Sequence, residues 1–146
     1  MKRQFVMLVA EDHPDDLALL QQAVADSEVP VGLKVTQDGS DVIAYLTGQV
    51  IYSDRETHPL PDLIVLDLKM AQLGGLEVLK WLQNKPEYAA IPRIILSGSS
   101  VERDVEEALG LGVSAYFTKP SGFHELKELM RNVVGFFCRS QRPARK

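Results

Sequence analysis

Leu63-Ile-Val-Leu-Asp-Leu68 ends an apolar run on a single carboxylate, Asp67. Between Pro61-Asp62 and Gly74-Gly75, this partly β-branched run reads as a strand covered on both faces, the pattern of a parallel sheet. Asp67 then stands at the strand's carboxyl end. In open α/β sheets ligands bind at that edge, so the rest of the chain is read for partners of Asp67. On this stretch alone, a capping or turn aspartate is the better reading.

Upstream, Phe5 to Ala10 is a second apolar run, and it ends on Glu11 and Asp12. Pro14 suits the first position of a following helix, Asp15 and Asp16 its positive end, and Leu17, Leu20 and Val24 its apolar stripe. A weaker strand spans Val31 to Thr36, and a short helix carries Val42, Ile43 and Leu46 and stops near Gly48. Residues 49–61 are polar and punctuated by prolines, which fits either a surface excursion or a frayed extra turn. Downstream of Asp67, Gly74-Gly75 opens a helix with a stripe of Leu76, Leu79, Trp81 and Leu82. A fourth strand covers Ile91 to Leu96 and ends on Ser97, and Ser99 with Glu102 spells a capping box for the next helix. Ala115 to Thr118 is a fifth strand, ending on Lys119-Pro120, and Phe123 to Cys138 is a final helix. Five strands alternating with five helices predict an α/β fold: a doubly wound five-stranded parallel sheet with helices on both faces.

At 146 residues the chain has room for one core and one domain. The expected division is a domain over residues 1–140 and a basic, disordered tail over 141–146. Apolar residues at 45% and charged residues at 25% are ordinary for a globular protein, and no apolar run is long enough to cross a membrane. The start of the chain is unlike a signal peptide, so a cytoplasmic location is expected. Cys138 has no partner for an internal disulfide. Arg139, Arg142, Arg145 and Lys146 cluster in the last eight residues, and against a net charge of −4 they leave −8 on the rest. An acidic body of this kind argues against nucleic acid as a partner.

In such a fold the strand ends share one edge, so Glu11, Asp12, Asp67, Ser97 and Lys119 should converge. Packed carboxylates repel one another unless a cation joins them, and a hard divalent ion, Mg²⁺, meets that need with oxygen ligands. Asp67 then becomes a nucleophile able to accept a phosphoryl group as an acyl phosphate, with Lys119 and Ser97 contacting the phosphoryl oxygens. His13, His58 and His124 are assigned to loops or helix ends, and Asp15 and Asp16 to the helix start.

These residues resemble the receiver domains of two-component response regulators over nearly the whole chain. The carrying motifs are Val9-Ala-Glu-Asp-His-Pro-Asp-Asp, Ile64-Val-Leu-Asp-Leu-Lys-Met with Gly75 after it, Ile94-Ile-Leu-Ser-Gly, and Tyr116-Phe-Thr-Lys-Pro. Each motif is weak alone, but in register they are specific. The resemblance implies a phosphorylated Asp67, with Asp12, Asp67 and the Lys69 backbone carbonyl as direct Mg²⁺ ligands and Glu11 acting through water. It implies Ser97 and Lys119 as phosphoryl contacts, Tyr116 as a switch aromatic whose rotamer follows Ser97, and a cis Lys119-Pro120 peptide. Ala71 replaces the family's usual proline and Gly74 a common aspartate, so the conformation after Asp67 is expected to differ.

A narrower resemblance is to the small single-domain regulators that accompany bacterial phytochromes. It implies a sensor histidine kinase, a bacteriophytochrome, as phosphodonor, and output by protein contact or onward phosphotransfer. A homodimer through the last helix is expected, because Leu129 and Phe136 lie off the stripe of Phe123, Leu126, Met130, Val133 and Phe137. Lys69 and the short Ser99 lead to an expectation of slow self-dephosphorylation. Two other classes fit less well. A flavodoxin-like electron carrier needs a loop hospitable to phosphate where this chain has Glu11-Asp-His-Pro-Asp-Asp16. An aspartyl-nucleophile phosphatase would want an acid at position 69. The protein is therefore read as a phospho-switch and not as an enzyme with turnover.

Overall fold

The computed structural model describes residues 4–140; the basic tail expected at 141–146 lies outside them. The elements run β1 (Phe5–Ala10), α1 (Pro14–Ser27), β2 (Val31–Thr36), α2 (Gly39–Thr47), β3 (Leu63–Leu66), α3 (Gly75–Gln83), β4 (Arg93–Ser97), α4 (Glu102–Gly110), β5 (Ala115–Thr118) and α5 (Phe123–Ser140). The strands form one parallel sheet in the order β2-β1-β3-β4-β5.

The two-residue period of a strand divides the core into two layers. In β1, Met7 and Val9 face α1 and α5, while Leu8 and Ala10 face α2 and α3. Leu63 and Val65 of β3 join the first layer, Ile64 and Leu66 the second. All four β3 residues are buried, as a strand covered on both sides requires. Each such side chain contributes about 1.5–3 kcal/mol of burial free energy.

Helix details differ from the sequence expectation at several points. In α3 the inward residues are Gly75, Val78, Leu79 and Leu82, and Trp81 lies on the flank, stacked on Tyr88 with ring centroids 5.8 Å apart. The expected stripe missed Val78, which sits one turn after Gly75 on the same face. β4 begins at Arg93 because Ile91 closes a 3-10 turn on Tyr88 and Pro92 has no N–H to donate to a neighbouring strand. The Ser99–Glu102 capping box does not form. Val101 is the N-cap, and the Ser99 hydroxyl donates instead to Asp104 Oδ2 at 2.8 Å. In α5, Val134 belongs to the buried face, Leu129 packs against the core, and Phe123 is exposed. Phe136 is exposed as expected, at 56%.

Residues 49–61 fold as a strap pinned to α2. Val50–Tyr52 form a 3-10 turn, Arg55 donates to the carbonyls of Tyr45, Leu46 and His58, and Tyr45, Tyr52 and His58 pack ring against ring.

Candidate functional site

Register sets the site. Ala10 lies opposite Leu66, and Asp67 N–H donates to the Ala10 carbonyl, so the next residues of β1 and β3, Glu11 and Asp67, emerge side by side. Ser97 ends β4 opposite Thr118, and Lys119 N–H donates to the Ser97 carbonyl at 2.8 Å. β1 has β2 on one side and β3 on the other, with helices leaving to opposite faces, which opens the crevice where such sheets bind ligands. Gly75 closes the floor: a Cβ there would collide with the Asp67 carbonyl.

Lys119 is the centre of the cluster. Its Nζ lies 2.7 Å from Glu11 Oε1, 2.8 Å from Asp67 Oδ2 and 2.9 Å from Asp16 Oδ2. Glu11, Asp67 and Ser97 are all buried. Burial pulls the ammonium's pKa down, but its hydrogen bonds to Asp67, Glu11 and Asp16 outweigh that and hold it above the ordinary lysine value. Burial raises the pKa of Glu11, and so does the charge of Asp67, while the bond from Lys119 opposes them.

Asp16 is the residue that the sequence reading missed. It does lie in the first turn of α1, as expected, and its carboxylate also reaches Lys119. His13, expected in a loop or at a helix end, is the N-cap residue of the same helix without a side-chain capping bond, its Nδ1 3.3 Å from Asp12 Oδ1 and 3.5 Å from Glu11 Oε2. Glu11, His13 and Asp16 each offer a donor atom, all within 4.8 Å of one another.

Asp12 stands apart from Lys119. Its Oδ2 accepts from Ala71 N–H at 2.8 Å, and its Oδ1 is shut off from solvent and makes no hydrogen bond, although His13 Nδ1 lies 3.3 Å away. The family's usual proline at position 71 could not make this bond, so the departure at Ala71 has a structural effect. Lys69 has an exposed side chain, and its N–H donates to Asp67 Oδ1 over a long 3.4 Å. The Ser97 hydroxyl oxygen accepts from Ser99 N–H at 3.3 Å, and Tyr116 Oη donates to the Ser99 carbonyl at 2.7 Å, so the ring is turned in towards the β4–α4 loop. Burial raises the Tyr116 pKa, with bonds at Ser99 and Ser97 opposing. The Lys119-Pro120 peptide is trans, not cis as the resemblance implied; trans is the intrinsically favoured isomer of a prolyl bond by about 0.5–1 kcal/mol.

A buried acidic edge with a bridging lysine and a neighbouring hydroxyl, on a five-stranded doubly wound sheet, defines a class, and the sequence family agrees. Residues 7–131 match the response regulator receiver domain, and the chain belongs to that family. Response regulator Rcp1 of Synechocystis is 32% identical over 132 residues, covering 90% of this chain and 88% of that protein. The phosphorylated cyanobacterial phytochrome response regulator RcpA matches with a TM-score of 0.86 at 30% identity, over 97% of this chain and 100% of that one. The Mn²⁺-bound form of Rcp1 matches with a TM-score of 0.82 at 31% identity, over 96% and 99%. The protein is a response regulator of two-component signalling, and neither the electron-carrier nor the phosphatase reading is favoured.

Proposed function

We propose that Asp67 accepts a phosphoryl group from the phosphohistidine of a sensor kinase. The observation that carries this reading is Lys119 Nζ held between Asp67 and Glu11 at 2.8 and 2.7 Å, beside the buried Ser97 hydroxyl. An Asp67 oxygen attacks phosphorus, the nitrogen–phosphorus bond breaks towards the donor imidazole, and an acyl phosphate results. Lys119 loses its bond to Asp67 Oδ2 and turns to a phosphoryl oxygen, and Ser97 donates to another. Tyr116, already bonded to the Ser99 carbonyl, keeps the β4–α4 loop drawn in once Ser97 has moved.

The residues present fit a divalent ion. Oδ1 of Asp12 is a carboxylate oxygen removed from water that makes no hydrogen bond, next in sequence to the buried acid Glu11 and with the His13 imidazole nitrogen 3.3 Å away. Glu11, Asp12, Asp67 and the Lys69 carbonyl would hold Mg²⁺, which when bound supplies charge neutralisation for the incoming phosphoryl oxygens. The structural relative that carries Mn²⁺ supports a divalent ion in general.

The partner in this reading is a histidine kinase, and the phytochrome association named for RcpA favours a bacteriophytochrome. The product is a signalling state passed on by contact or phosphotransfer, without turnover of a separate substrate. The kinase makes its phosphohistidine from ATP, which places the exchange in the cytoplasm. We also infer a homodimer through α5, supported by the exposed ring of Phe136 on the outward side of a helix whose inward face is buried. Labelling by acetyl phosphate tests the central step. Wild type should be labelled only with Mg²⁺ present, and Asp67→Asn not at all; undiminished labelling of the variant overturns the assignment.

A further inference from the structure

On the sheet edge opposite Asp67, a cleft of about 450 Å³ opens between the start of β4, the turn before β5 and the 3-10 turn Pro86–Tyr88. Leu82, Ile91, Leu111 and Phe137 give it apolar walls. Arg93, the first residue of β4, also lines it, and is only 8% exposed. Its Nε donates to the Ile91 carbonyl, and its Nη2 to the carbonyls of Tyr88 and Ile91 at 2.7 and 2.6 Å. These contacts use two of its nitrogens and fix its orientation, but carbonyl dipoles do not neutralise a full charge. Nη1 has no acceptor, and no acid pairs with the guanidinium, among the described residues. Burial accordingly pulls its pKa below the ordinary value with no neighbouring acid to offset it. Lys85 adds a second cation to the lining, its Nζ 5.3 Å above the Trp81 ring. Among the described residues no carboxylate lines the cleft, although acids outnumber bases in the chain, 20 to 16.

A concavity of this size, with apolar walls, polar groups between them and a guanidinium that no acid neutralises and whose Nη1 is left without a protein acceptor, matches the make-up of small-molecule sites. We propose that the cleft binds a small organic anion, its carboxylate or phosphoryl head on Arg93 Nη1 with Lys85 beside it, and its apolar body against Leu82, Ile91, Leu111 and Phe137. A planar guanidinium suits either head. The site is independent of phosphorylation at Asp67, and its test needs neither kinase nor metal.

Two-dimensional ¹H–¹⁵N spectra of the full chain, without Mg²⁺, would follow the Gly112 and Ser114 amides and the Arg93 Nε–H. The titrants are benzoate, phenylphosphonate and neutral benzyl alcohol at constant ionic strength. Saturable shifts at these positions are expected with at least one anion, and the head group that gives them is the one the site takes. Benzyl alcohol should bind about tenfold more weakly, as should the saturating anion in Arg93→Gln, the scale of one charge-assisted contact. Ala90→Trp, a change at an exposed residue of the cleft lining, should abolish binding and leave the fold intact. If Arg93→Gln does not fold, the neutral titrant and Ala90→Trp still decide. Absence of saturable shifts with both anions, benzyl alcohol binding as tightly as the anion, or unchanged binding in Ala90→Trp overturns the proposal.

Discussion

Lys119 is held by Glu11, Asp67 and Asp16, so removing its charge leaves carboxylates facing one another in a buried crevice. Lys119→Met should lose about 1–3 kcal/mol at neutral pH, less than a fully buried pair because the lysine is partly solvated. It should also gain more thermal stability from added Mg²⁺ than wild type does, as read by calorimetry; an equal or smaller gain would contradict the charge argument. The sign of the pH dependence follows from the shifts. Lys119 is raised, so its contribution is fully present at neutral pH and is lost as pH climbs through its folded value. Glu11 is also raised, so the folded state holds that proton more tightly than the unfolded chain. Stability therefore falls as pH rises from about 4.5 through the folded value of Glu11. Glu11→Gln should remove that slope and raise the neutral-pH Tm by about 3 °C. Ala71 carries a different effect. Its N–H fixes one oxygen of Asp12 and leaves the other for a metal, so Ala71→Pro should weaken Mg²⁺ binding about tenfold by calorimetric titration. Lys69 and Ser99 bear on the lifetime of the acyl phosphate: Lys69 is exposed and able to cover it, and the Ser99 hydroxyl is engaged with Asp104. Slow self-dephosphorylation is expected, with a shorter lifetime in Lys69→Ala at constant Mg²⁺; an unchanged or longer lifetime rules out shielding. At this scale the nucleophile, the lysine and the hydroxyl were legible because each ends an apolar run. Asp16 was not, because a helix-start aspartate satisfies a local rule as well as a distant lysine.

The central strands β1, β3 and β4 were legible as elements because burial on both faces leaves a short continuous apolar run, whereas residues 49–61 were not. Their order comes from Arg55 donating to carbonyls near the end of α2 and from a packed group of Tyr45, Tyr52 and His58, a non-local arrangement with no periodic trace. Arg55→Ala should destabilise the protein by about 2 kcal/mol and speed amide exchange in the strap while leaving β3 protected. The α5 stripe was legible only in part. Helical period placed Leu126, Met130, Val133 and Phe137 inward, but Phe123, the first residue of the helix, is left exposed. If Phe136 forms a contact between copies, Phe136→Glu should give a monomer by light scattering where wild type gives a dimer. A monomeric wild type would remove the dimer.

For the whole molecule, strand order and the sharing of one edge by Glu11, Asp67, Ser97 and Lys119 follow from parallel pairing, with β1 between β2 and β3. Alternating strands and helices were enough to anticipate the shared edge, though not the strand order, because strands joined by crossover helices run parallel and so have their carboxyl ends on the same side. What the alternation does not carry is the opposite edge, where Arg93 looks like any strand-opening residue until the 3-10 turn folds beneath it. The account rests on Asp67 being the phosphorylated residue, and reductive trapping tests that most directly. Borohydride reduces an aspartyl phosphate to homoserine, so protein treated with acetyl phosphate and Mg²⁺, then reduced and digested, should give homoserine at position 67 by mass spectrometry, with Asp12 and Asp16 intact. Homoserine at another aspartate, or none anywhere in protein that carries label, would contradict it.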